Sequence, residues 1–185
     1  NKFYEWAHKI APRKYNKSKY DHPRLVIPFY DEQGKVFAYQ GRAFGKETPK
    51  YVTIKLDENK QKIYGLERVN FTKHIYVTEG PLDSLFLDNC IAAGGADLTL
   101  DSKINPEKVT YIFDNEPRNK EIIQRMEKII DLGYNIFIWP EDIQLKDVND
   151  LIMTGVSKLQ LDEIISINTY SKLSAKQALV NFKKI

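Results

Sequence analysis

The chain has almost nothing from which a sulfur-based site could be built. A single cysteine, Cys90, stands among 185 residues, which excludes an internal disulfide and any multi-cysteine zinc site. A lone cysteine in such a chain reads as a small buried hydrophobe, and its reduced state suits a cytoplasmic location. Histidine is equally sparse: His8, His22 and His74 show no ligand spacing, and no role is expected of them. No run of about 18 apolar residues occurs, so no membrane-spanning helix is expected. The first residues, Asn1 to Trp6, lack the n-region and apolar h-region of a signal peptide. They also lack an initiator methionine, and the expectation is a fragment of a longer protein.

What is present is ordinary in amount and uneven in placement. The 42% hydrophobic and 29% charged fractions belong to a globular protein, with length for one compact unit or two small subdomains. The net charge of +3 hides an asymmetry. Residues 1–73 hold 16 Lys/Arg against 8 Asp/Glu, and residues 74–185 hold 12 against 17. One half therefore suits polyanions, while the other concentrates carboxylates. Chance partition of solvated charge gives the same counts, so the asymmetry needs support from motifs.

The basic half reads as a short helix and linker over 1–23, then strands. Arg24 to Asp31, a turn at Glu32-Gln33-Gly34-Lys35, and Val36 to Phe44 give a β-hairpin pattern. Tyr51 to Leu56 supplies a further strand after the break at Thr48-Pro49-Lys50. The pattern changes at His74. Short apolar strands at 75–78, 91–93, 109–113 and 135–139 alternate with helices expected from Pro81 to about Asn89, from Arg118 to about Leu132, and from Asp147 to Met153. The second of these carries Ile122, Ile123, Met126, Ile129 and Ile130 at helical spacing and stops at Gly133. The fold class is therefore α/β: a parallel sheet flanked by helices, preceded by a small basic antiparallel β subdomain (1–73) and followed by a helical segment (157–185). The catalytic subdomain spans 74–156.

Three acidic motifs follow strand ends: Glu79 after the first, Asp114 and Glu116 after the third, Asp147 and Asp150 after the fourth. Ligands of open α/β sheets gather beyond the carboxyl ends of the strands, so the motifs are expected to converge in one crevice. Gly80 permits a sharp turn after Glu79. Pro81 suits a first helical position, with Asp83 in the first turn. Pro117 starts the next helix by the same device. Asp114 and Glu116, two apart on extended chain, send both carboxylates to one side. Alone, each motif also reads as a helix cap or a surface ion pair. Ionised carboxylates crowded in a crevice are costly unless paired or metal-bound, and oxygen ligands without cysteine suit Mg²⁺ or Mn²⁺ over zinc.

These residues resemble the Toprim fold shared by bacterial-type primases, topoisomerases and some nucleases. Glu79-Gly80 matches its glutamate motif, and Asp114-Asn115-Glu116 stands where the family carries Asp-x-Asp. EGPLDSLF (79–86), FDNEPRN (113–119) and KDVNDLI (146–152) further resemble the DNA primases of T-even-type bacteriophages, as do RLVIPFYDEQGK (24–35), YQGRA (39–43), PKYVTI (49–54) and KIYGLERV (62–69). The resemblance runs from about residue 24 to the C-terminus.

The resemblance implies a nucleotidyltransferase that makes short RNA primers on single-stranded DNA from ribonucleoside triphosphates. It implies Asp114, Glu116, Asp147 and Glu79 as catalytic and metal-holding groups, with Asp150 a second contributor to the metal and Asp83 and Gly80 in support. Arg42, Lys50 and Lys62 are assigned to triphosphate or primer, with Lys60 and Lys62 not distinguished. Arg118 and Lys146 are assigned to nucleic acid or nucleotide. Tyr39, Tyr51 and Tyr64 either stack on bases or belong to a core. A replicative helicase and an upstream zinc-binding domain are implied as partners, in the host cytoplasm if the protein is phage-encoded. Two other readings share the cluster: a Toprim-type nuclease, and a non-catalytic nucleic-acid-binding module.

Overall fold

The computed structural model describes residues 2–15, 21–93 and 104–184. Its contacts divide the chain into two compact units, Asn1–Glu67 and Arg68–Ile185. The change of pattern read from the sequence falls at His74, and residues 157–185 stay with the second unit.

In the first unit a helix, α1 (Phe3–Ile10), precedes three antiparallel strands, β1 (Arg24–Tyr30), β2 (Val36–Ala43) and β3 (Tyr51–Lys55). The hairpin turn forms where the sequence places it. Asp31 Oδ1 accepts the Gln33 and Lys35 N–H groups at 3.1 and 2.8 Å, and Gly34 takes the positive φ of 75° that the turn needs. Alternation in β3 turns Val52 and Ile54 inward against Phe3, Ala7 and Tyr15. The Phe3 ring lies directly on Gly41, and any side chain there would collide with it. A two-residue strand, β4 (Ile63–Tyr64), follows, and Tyr64 meets Phe29 edge-on.

The second unit carries β5 (Ile75–Thr78), β6 (Cys90–Ala93), β7 (Val109–Ile112) and β8 (Asn135–Phe137) in the spatial order β6-β5-β7-β8, all parallel. The strands are short continuous apolar runs because both faces are covered: Ile75, Val77, Ile91, Val109 and Ile136 are buried. Helix α2 (Lys120–Asp131) buries all five residues of its apolar stripe, each worth about 2 kcal/mol of transfer free energy. Gly133 ends it in the left-handed region at φ 85°. Helices α3 (Val148–Met153), α4 (Lys158–Ile167) and α5 (Lys172–Phe182) complete the unit, and α5 packs against α2.

Four details depart from the sequence reading. Pro81 to Asn89 is not an α-helix but turns around one 3₁₀ segment, Asp83–Phe86. Ser84 Oγ donates to the Pro81 carbonyl at 2.7 Å, a side-chain bond that competes with helix propagation. Helix α2 starts at Lys120 under an Asn119 cap, beyond Pro117 and Arg118. The third and fourth strands end earlier, at Ile112 and Phe137. The C-terminal segment is not wholly helical: a two-residue strand, β9 (Thr169–Tyr170), adds to the sheet antiparallel to β8. Gly94 and Gly95, the glycine pair that follows the apolar run 91–93 in the sequence, lie outside the described residues. No helix among the described residues is long and apolar enough to cross a membrane.

Candidate active site

Parallel strands set the origin of the site. β5 ends at Thr78 and β7 at Ile112, paired directly, so Glu79 and Asp114 leave adjacent strands at the same end. Glu79 Oε2 accepts the Asp114 N–H at 3.1 Å. Its other oxygen, Oε1, pairs with Arg125 Nη1 at 3.1 Å. Arg125 also reaches Glu121 one turn back along α2, its Nη2 lying 2.5 Å from Glu121 Oε1.

The second motif folds more tightly than an extended chain. The Glu116 N–H donates to the Asp114 carbonyl at 2.8 Å, and this turn still sends both carboxylates to one point. Lys146 Nζ lies 3.1 Å from Asp114 Oδ2 and 3.1 Å from Glu116 Oε1. Asn119 Nδ2 donates to the remaining Glu116 oxygen at 2.6 Å. Asn115 ties the turn to the next loop: its N–H donates to the Lys146 carbonyl at 2.6 Å, and its Nδ2 donates to the Ile143 and Leu145 carbonyls.

Asp147 caps α3, its Oδ1 accepting the Asp150 N–H at 2.8 Å, and Asp150 lies in the first turn. Asp83 Oδ1 accepts the Asn149 N–H at 2.9 Å, so Asp83 holds the first turn of α3. Gly80 has no positive φ. The Asp83 carboxylate folds over it, and a Cβ there would have to push that carboxylate aside.

The electrostatics agree with crowding. Burial pushes the pKa of Glu79 up, and the charges of Asp114 and Glu116 add to this. Asp114 is raised chiefly by burial, with Asp147 and Glu116 contributing and Lys146 opposing. Asp83 is pushed up to about 6 by burial, then by the charges of Asp147 and Asp114. Glu116 is held low by the Asn119 hydrogen bond and by Lys146. Lys146 is held above the usual lysine range by the same two carboxylates. The structure thus brings Glu79, Asp83, Asp114, Glu116 and Asp147 into one electrostatic neighbourhood.

The donor set is oxygen only, and a divalent cation would relieve the like-charge and burial penalties that raise three of these carboxyls. Among the described residues, however, no group of three acidic or histidine side chains stands as a ready-made coordination set. The Lys146 ammonium lies between two members of the cluster. Arg118 is exposed just before the Asn119 cap.

The basic candidates Arg42, Lys50 and Lys62 belong to the first unit. Arg42 and Tyr51 pair in register across β2 and β3, and the Arg42 and Lys50 charges lie 6.0 and 5.9 Å from the Tyr51 ring centre. Tyr39 packs on Trp6 at 5.3 Å, and Tyr64 on Phe29. Lys60 is paired with Asp31. Lys62 is half-buried beside Lys14 and Lys55, and burial and then those like charges push its pKa down. That separates the two lysines: Lys62 is the one left with cations around it. Cys90 is buried, which pushes its thiol up to about 12.

Arg125, Asn119 and Asn115 were not singled out by sequence. The Glu121–Arg125 spacing was visible as a one-turn helix pair, but nothing local pointed Arg125 at Glu79.

No family model matches the chain. Against known proteins, 98% of it aligns with the DNA primase of Enterobacteria phage T4, at 41% identity over 187 residues. Over that span the chain is similar to a DNA primase. Weaker matches are primases of Thermotoga maritima (25% identity over 132 residues, 62% of the chain and 23% of that protein) and Clostridium acetobutylicum (28% over 141 residues, 66% and 24%). The chain spans 54% of the length of the T4 primase, so it corresponds to a part of that protein. Solved structures share the primase fold: the Aquifex aeolicus primase zinc-binding and RNA polymerase domains (TM-score 0.62, 23% identity, 80% of this chain and 41% of that one) and the E. coli primase catalytic core (TM-score 0.62, 18%, 86% and 55%).

Proposed function

We propose that this chain is the catalytic core of a nucleotidyltransferase that builds short RNA primers on single-stranded DNA from ribonucleoside triphosphates. One observation carries the reading: on a chain 41% identical to a DNA primase, carboxylates from the ends of β5 and β7 and from the start of α3 share one electrostatic neighbourhood.

Asp114, Glu116 and Asp147 would hold Mg²⁺, or Mn²⁺ in its place, with Glu79 as a further ligand or an acid/base group and Asp150 as a second contributor. Bound there, the cation supplies charge neutralisation and a lowered pKa for an attacking hydroxyl. Glu79, fixed by the Asp114 N–H and Arg125, orients the turn that carries Asp114. Asp83, over Gly80, orients the start of α3 and with it Asp147. Arg42, Lys50 and Lys62 supply positive charge for triphosphate or primer, Lys62 being preferred to the paired Lys60. Arg118 and Lys146 serve template or nucleotide. Binding to DNA should fall steeply with salt. By family, the core works with a replicative helicase and a zinc-binding domain, in the cytoplasm of the cell where replication runs.

The test is incubation with single-stranded template, labelled ribonucleotides and Mg²⁺. Short labelled RNA supports the proposal. Shortened DNA without RNA supports a nuclease instead, and DNA retention with neither product supports a binding module.

A further inference from the structure

Lys146 holds two carboxylates at once. Its Nζ lies 3.1 Å from Asp114 Oδ2 and from Glu116 Oε1; the lysine side chain is 53% exposed, against 21% and 31% for its partners. The two anions are set into the crevice, and the cation reaches them from the solvent side.

The backbone of Lys146 is pinned separately. Its carbonyl accepts the Asn115 N–H at 2.6 Å, and Asn115 Nδ2 holds the loop just before it through the Ile143 and Leu145 carbonyls at 2.8 and 2.9 Å. Only the flexible four-carbon stem is free to move, and exposed side chains change rotamer within nanoseconds. Arg125 differs. Its guanidinium is shared between Glu79 and Glu121, and Glu79 is also tied to backbone, so that pair is a fixed clamp.

We propose that Lys146 is an exchange cation. Its ammonium fills the place between Asp114 and Glu116 while no divalent ion is bound, and it swings out toward solvent when Mg²⁺ enters. The inference rests on the metal reading above. Without a cation, Asp114 bears the charges of Asp147 and Glu116 with nothing opposing them, which strains the turn. Lys146 keeps it assembled, and because the lysine must be displaced, Mg²⁺ binds with reduced apparent affinity. Once displaced, the ammonium remains tethered at the crevice rim, where the oxygens of a triphosphate are its natural partners.

The test is calorimetric titration of Mg²⁺ into the wild-type chain and Lys146→Met, with melting followed in EDTA and in saturating Mg²⁺. The Met variant should bind Mg²⁺ roughly fivefold more tightly, the worth of a partly exposed ion pair. It should melt lower than wild type in EDTA, and the two should converge in Mg²⁺. Lys146→Arg, which keeps a cation in place, should bind Mg²⁺ no more tightly than wild type. Unchanged or weaker Mg²⁺ binding by the Met variant overturns the exchange. Failure of every form to bind Mg²⁺ overturns the metal reading beneath it, a different and recognisable result. If Lys146→Met does not fold, the wild-type chain decides alone. The ε-methylene resonance of Lys146, assigned with Lys146→Arg, should move to the free-lysine position as Mg²⁺ is added, and a resonance that stays put overturns the proposal.

Discussion

Glu79 accepts a hydrogen bond from the backbone N–H of Asp114 at 3.1 Å, so one acidic motif positions the chain that carries the next. The bond joins the ends of two neighbouring parallel strands, and its other carboxylate oxygen is clamped by Arg125. Replacement Glu79→Gln keeps an acceptor for the Asp114 N–H and removes the charge. The variant should melt within a few degrees of wild type and still bind DNA. Primer synthesis, followed as labelled ribonucleotide incorporation, should fall by roughly 100-fold or more. Undiminished synthesis would remove Glu79 from the mechanism.

Asp83 should make stability depend on pH. Its carboxyl sits at about 6 in the folded chain against an unperturbed 3.8. Between those values the unfolded chain ionises while the folded one keeps its proton. Stability from this group is thus complete below 3.8 and is lost as pH rises through about 6. Asp83→Asn retains an acceptor for the Asn149 N–H and does not titrate. In EDTA, its stability relative to wild type should rise by about 3 kcal/mol from acid to neutral pH, by urea unfolding. Parallel pH curves for the two proteins would rule this out.

Gly80→Ala tests why glycine stands beside Glu79. The added methyl would press on the Asp83 carboxylate, and we expect a loss of about 1–3 kcal/mol. In an Asp83→Ala background the same change should cost much less. A double-mutant cycle measures that difference, and additive costs would show that the two residues do not meet.

Asn119 has two tasks that substitution separates. Its Oδ1 caps α2 through the Glu121 and Ile122 N–H groups, and its Nδ2 donates to Glu116. Asn119→Ala should cost about 1 kcal/mol of stability. Asn119→Asp keeps the cap but sets a charge against Glu116. It should retain stability better than Ala at low pH and lose that advantage as both carboxyls ionise. Equal stability of the two variants at every pH would contradict the pairing with Glu116.

The parts of the fold legible in the sequence were those that local periodicity dictates. Ile122, Ile123, Met126, Ile129 and Ile130 had to lie on one face of any helix, and all are buried. Short runs at 75–78 and 109–112 read as covered parallel strands because no charged residue interrupts them. Residues 81–89 misled because Pro81 and Asp83 are good helix-start residues. The chain instead turns at Asn89, whose φ is 49° and whose amide donates to the Asn70 and His74 carbonyls. Those partners are distant in sequence. β9 was invisible for the same reason, since two residues between capped helices carry no period.

By itself the sequence determined that strands and helices alternate in the second unit and that acidic residues follow the strand ends, because hydrophobic period and chain order are local properties. Only the tertiary structure decided which cation meets which carboxylate. Lys146 bridges Asp114 and Glu116 across some thirty residues of chain, Arg125 reaches Glu79 from α2, and Asp83 serves the start of α3. Ion pairing and desolvation depend on distance and burial in space, and separation along the chain carries neither.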